Sequence, residues 1–221
     1  MKVLLESWRK YLKESVQTAK DKGGNIYNII SRDDGKTVLV ADGTFKHIGT
    51  HGKVGAGSVF SGQITPEMII DFVKDRAPIS ATGGFVTADF ASGGYELVKP
   101  MSWVKENLPD AEIRRGTKEE FQQGKKVQVP VLNAITSEPI NSKKFVTDEV
   151  SVGIFKYDPD RSSPEQNELI KSSEVLSAAE AKGNLFALAT AFPGGFKIEG
   201  IPVPRASEWK DEWAVIIPKG T

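Results

Sequence analysis

The stretch Asn25–Ala41, NIYNIISRDDGKTVLVA, decides how the rest of the chain is read. Two β-rich runs, Asn25–Ser31 and Lys36–Ala41, flank Asp33-Asp34-Gly35. An Asp-Gly pair accepts the positive φ values of a tight turn, so the stretch predicts a β-hairpin. The paired aspartates would also suit a metal or acid–base chemistry, but the turn explains them more cheaply. The same rhythm recurs downstream. GFVTADF (84–90) and YELVKP (95–100) flank Ser92-Gly93-Gly94 as a second predicted hairpin. KKVQVPVLNAI (125–135) reads as an edge or bulged strand because of Pro130. VTDEVSVGIFKYD (146–158) is a long strand or strand pair with a buried centre, LFALATAF (185–192) suits a central strand, and WAVIIPKG ends the chain as a strand. Hairpins without a strict βαβ alternation predict an α+β fold with a mainly antiparallel sheet and several short helices.

The helices are placed by their caps. Residues 3 to about 20 predict an N-terminal amphipathic helix, with Leu4, Leu5, Trp8, Tyr11, Leu12 and Val16 on one face and Gly23-Gly24 as its stop. Its apolar stripe either packs on the body or serves self-association, as would the tryptophans Trp8, Trp209 and Trp213. Thr65, Pro66 and Glu67 mark a helix start, and Pro78 limits its end. Ser102 would cap a short helix over WVKENL, and Thr117 with Glu120 forms a capping-box pattern for another. Ser163-Pro164-Glu165 starts a further helix, with Ser177 and Glu180 as a second capping box in that segment. No repeat or linker is visible, so a single domain over 1–221 is expected, with any subdivision near 109–124.

Composition narrows the chemistry. The 221 residues carry 29 Lys plus Arg and 29 Asp plus Glu. That balance gives no electrostatic footprint for nucleic acid or an anionic membrane. The absence of cysteine excludes disulfides, thiolate nucleophiles and cysteine-ligated metals. MKVLLESWRKYL places Glu6 and Arg9 where a signal peptide needs an apolar core, and no window is long and apolar enough for a membrane helix. A cytoplasmic or virion-associated protein is expected.

The opening MKVLLESWRKYLKE resembles the first residues of marine tailed-phage and ocean-metagenome proteins. The resemblance implies an origin and carries no function and no site residues.

One segment, Asp42–Gly62, combines both histidines with six glycines. Its glycines argue against a regular helix. Gly55-Ala56-Gly57-Ser58 begins like a dinucleotide fingerprint, but Phe60 stands at the third glycine position, and neither a P-loop nor a GxSxG elbow follows. The segment runs into the helix N-terminus at Thr65, where an anion can sit. Candidate catalytic residues are therefore His47 or His51 as the general base, with Ser58; Gly55, Gly57, Ser61 and Thr65 are candidate ligand-binding residues. Asp42 would orient a histidine or complete a metal site. No particular metal or cofactor is indicated. Asp158–Ser163 loosely resembles a calcium loop, but Pro159 and the missing glycine break the pattern. Two functions follow: a non-enzymatic binding or assembly protein, or a hydrolase or transferase acting on a small anionic ligand.

Overall fold

A computed structural model describes residues 16–50, 58–62, 64–140, 142–194, 197–198 and 201–219. The fold is mixed, mostly strand, and its sheets are mainly antiparallel, as the hairpin rhythm predicts. The expected N-terminal helix over 3–15, with Trp8, lies outside the described residues. The described chain forms two compact units that interleave along the sequence. The first draws on 16–49, 64–88 and 151–191; the second on 50–63, 89–150 and 192–219. The stretch 109–124 lies inside the second.

In the first unit, β1 (Val16–Lys20), β2 (Ile26–Ser31) and β3 (Thr37–Ala41) form an antiparallel meander. The β2–β3 turn has Gly35 at φ 77°. Val16–Lys20 was expected as the end of a helix and is instead a strand. Gly23-Gly24 serves as a hairpin turn, with Gly24 at φ 90° and the Asp21 carboxylate accepting from the Asn25 amide at 2.8 Å and the Tyr27 hydroxyl at 3.1 Å. A second correction concerns Asp42–Thr50, which is a helix, α1, despite its glycines. Gly43 and Gly49 sit in its terminal turns, where helical propensity matters least, and Ile48 is fully buried. Tertiary burial outweighs the propensity cost.

Helix α2 (Pro66–Asp75) starts as its cap predicts: the Thr65 hydroxyl accepts from the Met68 amide at 3.4 Å. It packs on β2, and its Ile69, Phe72 and Val73 are buried. The Arg32 guanidinium ties it to the hairpin by donating to the Val73 carbonyl. After the long strands β5 (Gly83–Glu96) and β9 (Val146–Lys156) come α4 (Pro164–Ser172), α5 (Glu174–Ala181) and β10 (Leu185–Pro193). Helix α5 starts from Ser173 rather than Ser177, because the Ser173 hydroxyl takes the Leu176 amide. Strand order is β1-β2-β3-β10-β9-β5. Tyr27, Ile29, Leu39 and Leu185 pack on Ile170, Leu176 and Ala179 of the two helices. Ile30, Val38 and Val40 alternate onto the opposite face and are also buried, so the sheet is covered on both sides and reads as continuous apolar sequence.

β10 lies parallel to β3, pairing Leu185 with Thr37. This departs from the all-hairpin picture: the long connection a parallel pairing needs is the chain between the two strands, residues 42–184. β5 is also a correction, since it is one uninterrupted strand where a hairpin was expected. Gly93 and Gly94 mark close backbone approach, not a turn. A Cβ on Gly94 would collide with Pro193 and come within 2.7 Å of the Val59 carbonyl; one on Gly93 would collide with the Thr147 carbonyl.

In the second unit, β4 (Ser58–Phe60) pairs antiparallel with the end of β5. A four-stranded sheet has the order β6 (Val98–Pro100), β13 (Trp213–Pro218), β8 (Lys125–Thr136), β7 (Glu112–Gln122). The short pair β11 (Lys197–Ile198) and β12 (Ile201–Pro202) stands apart from it. β7 overturns the short helix expected from Thr117 and Glu120. Its eleven-residue pairing with β8 outweighs a local capping pattern, and Gln123 and Gly124, both at positive φ, close the hairpin. Pro130 is tolerated in β8 because β13 pairs only from Leu132 onward. Alternation along β13 sends Ala214 and Ile216 to one core with Leu97, Val104, Leu108 and Phe145, and Trp213 and Val215 to another with Val98, Val129, Val131 and Trp209. The first core is capped by α3 (Met101–Asn107), which begins after Pro100 without the expected Ser102 side-chain cap.

Candidate functional site

The second of these cores borders a cavity of about 280 Å³. Its floor is strand: Glu96 and Val98, two residues apart and so on one side, with Lys118 and Glu120 alternating likewise on β7. Its roof is the segment Val203–Trp209. That segment is held by hydrogen bonds: the Ala206 amide donates to Glu120 Oε1 at 2.9 Å, and the Trp209 indole donates to the Pro204 carbonyl at 2.9 Å. Burial alone would raise the Glu120 pKa. Hydrogen bonds from Gln122 and from the Ala206 and Ser207 amides outweigh it, leaving Glu120 below the usual carboxylate range. Phe192 and the exposed Arg205 complete the wall.

Glu96 is the unusual group. It is only 6 % exposed, in a strand flanked by Tyr95, Leu97 and Val98. β4 sets Ser58 directly opposite it in register, and the Ser58 hydroxyl donates to Glu96 Oε2 at 2.9 Å. The Val98 amide donates to Glu96 Oε1 at 3.0 Å. Burial pushes the carboxyl up to about 7, opposed by the Ser58 and Val98 hydrogen bonds and by the charges of Lys99 and Lys118. Both lysines are in turn lowered by their own burial, against the pull of Glu96. The Lys118 ammonium lies 4.9 Å from the centre of the Trp209 ring, within cation–π range. A carboxyl that titrates near neutrality can both accept and donate a proton there, which few side chains do.

Of the candidate catalytic and ligand-binding residues that are described, only Ser58 lines this cavity. His47 is exposed on α1 in the first unit. His51, Gly55 and Gly57 lie outside the described residues. Ser61 is exposed and donates to the Gly93 carbonyl at 2.6 Å, while Thr65 is engaged as the α2 cap. Asp42 opens α1 and accepts from the Asn28 amide group at 3.3 Å. Among the described residues, no three His, Asp or Glu side chains are grouped to hold a metal ion. A second recess, of about 550 Å³, lies in the first unit between Tyr27, Asp42, Lys46 and Gln166. Much of its lining is exposed, and its polar groups serve hydrogen bonds such as Asp42 with Asn28.

As site residues, sequence reasoning missed Glu96, Lys118 and Arg205, and it read Glu120 as a helix-capping residue and Trp209 as a packing or self-association residue. For Glu96 a signal existed: a lone carboxylate inside the apolar run Tyr95–Val98 must be either exposed or paired. For Lys118 the helix reading of β7 concealed the alternation that places it beside Glu120.

Comparison with protein families, with curated proteins and with solved structures finds no match for this chain.

Proposed function

We propose that the second unit is a binding module for a small molecule carrying a carboxylate or phosphate group. The observation that carries this reading is the charge balance inside the cavity. The Glu120 carboxylate is occupied by the roof, and Glu96 is partly protonated near neutral pH. Glu120 keeps its negative charge in those hydrogen bonds, so Lys118 and Arg205 leave the lining only slightly positive. Val98, Phe192, Val203 and Trp209 add an apolar flank for the body of the ligand. The volume sits near the lower end of the range for small-molecule sites, ~300–1,000 Å³, so the ligand is of metabolite size. The balanced net charge agrees with a small anion rather than nucleic acid as the partner.

Thermal-shift measurement with benzoate and phenyl phosphate tests this. Both raise the melting temperature of the wild type in proportion to log concentration. Lys118→Met, which keeps most of the side-chain length, loses the shift. A flat response of the wild type to both compounds would contradict the reading.

A further inference from the structure

The cavity holds a hydroxyl, a base and a group that orients the base, in the arrangement that nucleophilic catalysis requires. We propose that Ser58 and Glu96 form a catalytic dyad that hydrolyses a small ester whose acid or alcohol portion carries the anionic group bound by Lys118 and Arg205. The inference rests on the reading of the cavity as a small-anion site. Three observations support it. The Ser58 hydroxyl already points its proton at Glu96 Oε2, at 2.9 Å. Glu96 is fixed from the other side by the Val98 amide at 3.0 Å, so its second oxygen stays aimed at Ser58. Ser58 and Glu96 both line the cavity together with Lys118, a cation suited to a developing oxyanion.

The chemistry closes with these groups and water. The Ser58 O–H bond breaks, its proton passes to Glu96, and Oγ forms a bond to the ester carbonyl carbon. The carbonyl pair moves onto oxygen, facing the Lys118 ammonium. Collapse of the adduct breaks the bond to the alcohol oxygen, and Glu96 returns the proton to that oxygen. A water then adds to the acyl carbon while Glu96 takes its proton. The second collapse releases the acid and restores the Ser58 hydroxyl with the proton from Glu96. Ester and water become acid and alcohol.

The groups that face Glu96 are Ser58 from β4, Lys99 from β6 and Lys118 from β7, with Glu120 and Arg205 in the same cavity. Glu96 titrates near neutrality, so the ester-hydrolysis rate rises with pH through a midpoint near 7 as the base ionises.

The full chain is treated with a fluorophosphonate probe, and the modified peptide is located by mass spectrometry. The dyad predicts a phosphonyl adduct on Ser58, absent in Ser58→Ala and formed about a hundredfold more slowly, or slower still, in Glu96→Gln. The same order holds for hydrolysis of 4-nitrophenyl acetate. Labelling of the wild type needs no variant to fold, and circular dichroism checks those that are used. An unlabelled wild type, or an adduct on another serine, overturns the dyad. If the benzoate shift survives in that sample, the binding site stands without the chemistry; if it too is absent, both readings fall.

Discussion

At the scale of single residues, Glu96 governs the behaviour of the second unit. Its proton is held more tightly in the folded chain than in the unfolded one, where a glutamate titrates at about 4.5. The folded state therefore binds more protons than the unfolded state between the two values, and stability falls as pH rises through that window. The contribution is fully present below about 4.5 and lost above about 7. A tenfold change in proton affinity is worth about 1.4 kcal/mol, so the whole effect is roughly 3 kcal/mol. Glu96→Gln removes it. Urea unfolding at pH 5 and pH 8 is expected to show the wild type losing stability relative to the variant by an amount of this order. Equal pH dependence in the two proteins would place the carboxyl in water. Asp34 acts in the opposite sense. Burial would raise it, but hydrogen bonds from Lys36 and Arg32 hold it at about 2, so its contribution is present above the unfolded value and lost as pH falls toward 2.

At the scale of elements, local chemistry decided the pieces whose signal is local. The β2–β3 hairpin turns at Asp34-Gly35, α2 begins at Thr65-Pro66, and α4 begins at Ser163-Pro164, each as its residues dictate. The Thr65 cap is one of these, and Thr65→Ala is expected to cost about 1 kcal/mol of stability in denaturant unfolding. A cost below a few tenths would mean that the hydroxyl does not cap. Elements set by distant partners were not legible. β7 has a helix-like cap pattern at Thr117 and Glu120, yet pairs along its whole length with β8. α1 contains two glycines, yet forms because Ile48 has a core to enter. Gly93-Gly94 reads as a turn, yet lies mid-strand because other backbones crowd it. In each case tertiary contact overrode propensity. Gly94→Ala is the matching test: a methyl there meets the Val59 carbonyl and the Pro193 ring, so the variant unfolds at clearly lower denaturant than the wild type. Unchanged stability would show that the backbones can part.

At the scale of the whole chain, the candidate site was legible in one residue. Ser58 was visible because it stands in the glycine-rich Asp42–Gly62 segment. Its partners come from β5, β7 and the Val203–Trp209 segment, which join it only through the fold. Motif spacing cannot register a site assembled from segments up to about 150 residues apart (Ser58 to Trp209). The most direct test of the cavity reading is a ¹H–¹⁵N NMR titration of the full chain with phenyl phosphate, following every amide at once. The predicted result is saturable shifts concentrated at Ser58, at Glu96 and Val98, at Lys118 and Glu120, and across Val203–Trp209, with the response lost in Lys118→Met. Saturable shifts confined to the first unit, or none anywhere, would contradict the assignment of the ligand site to this cavity.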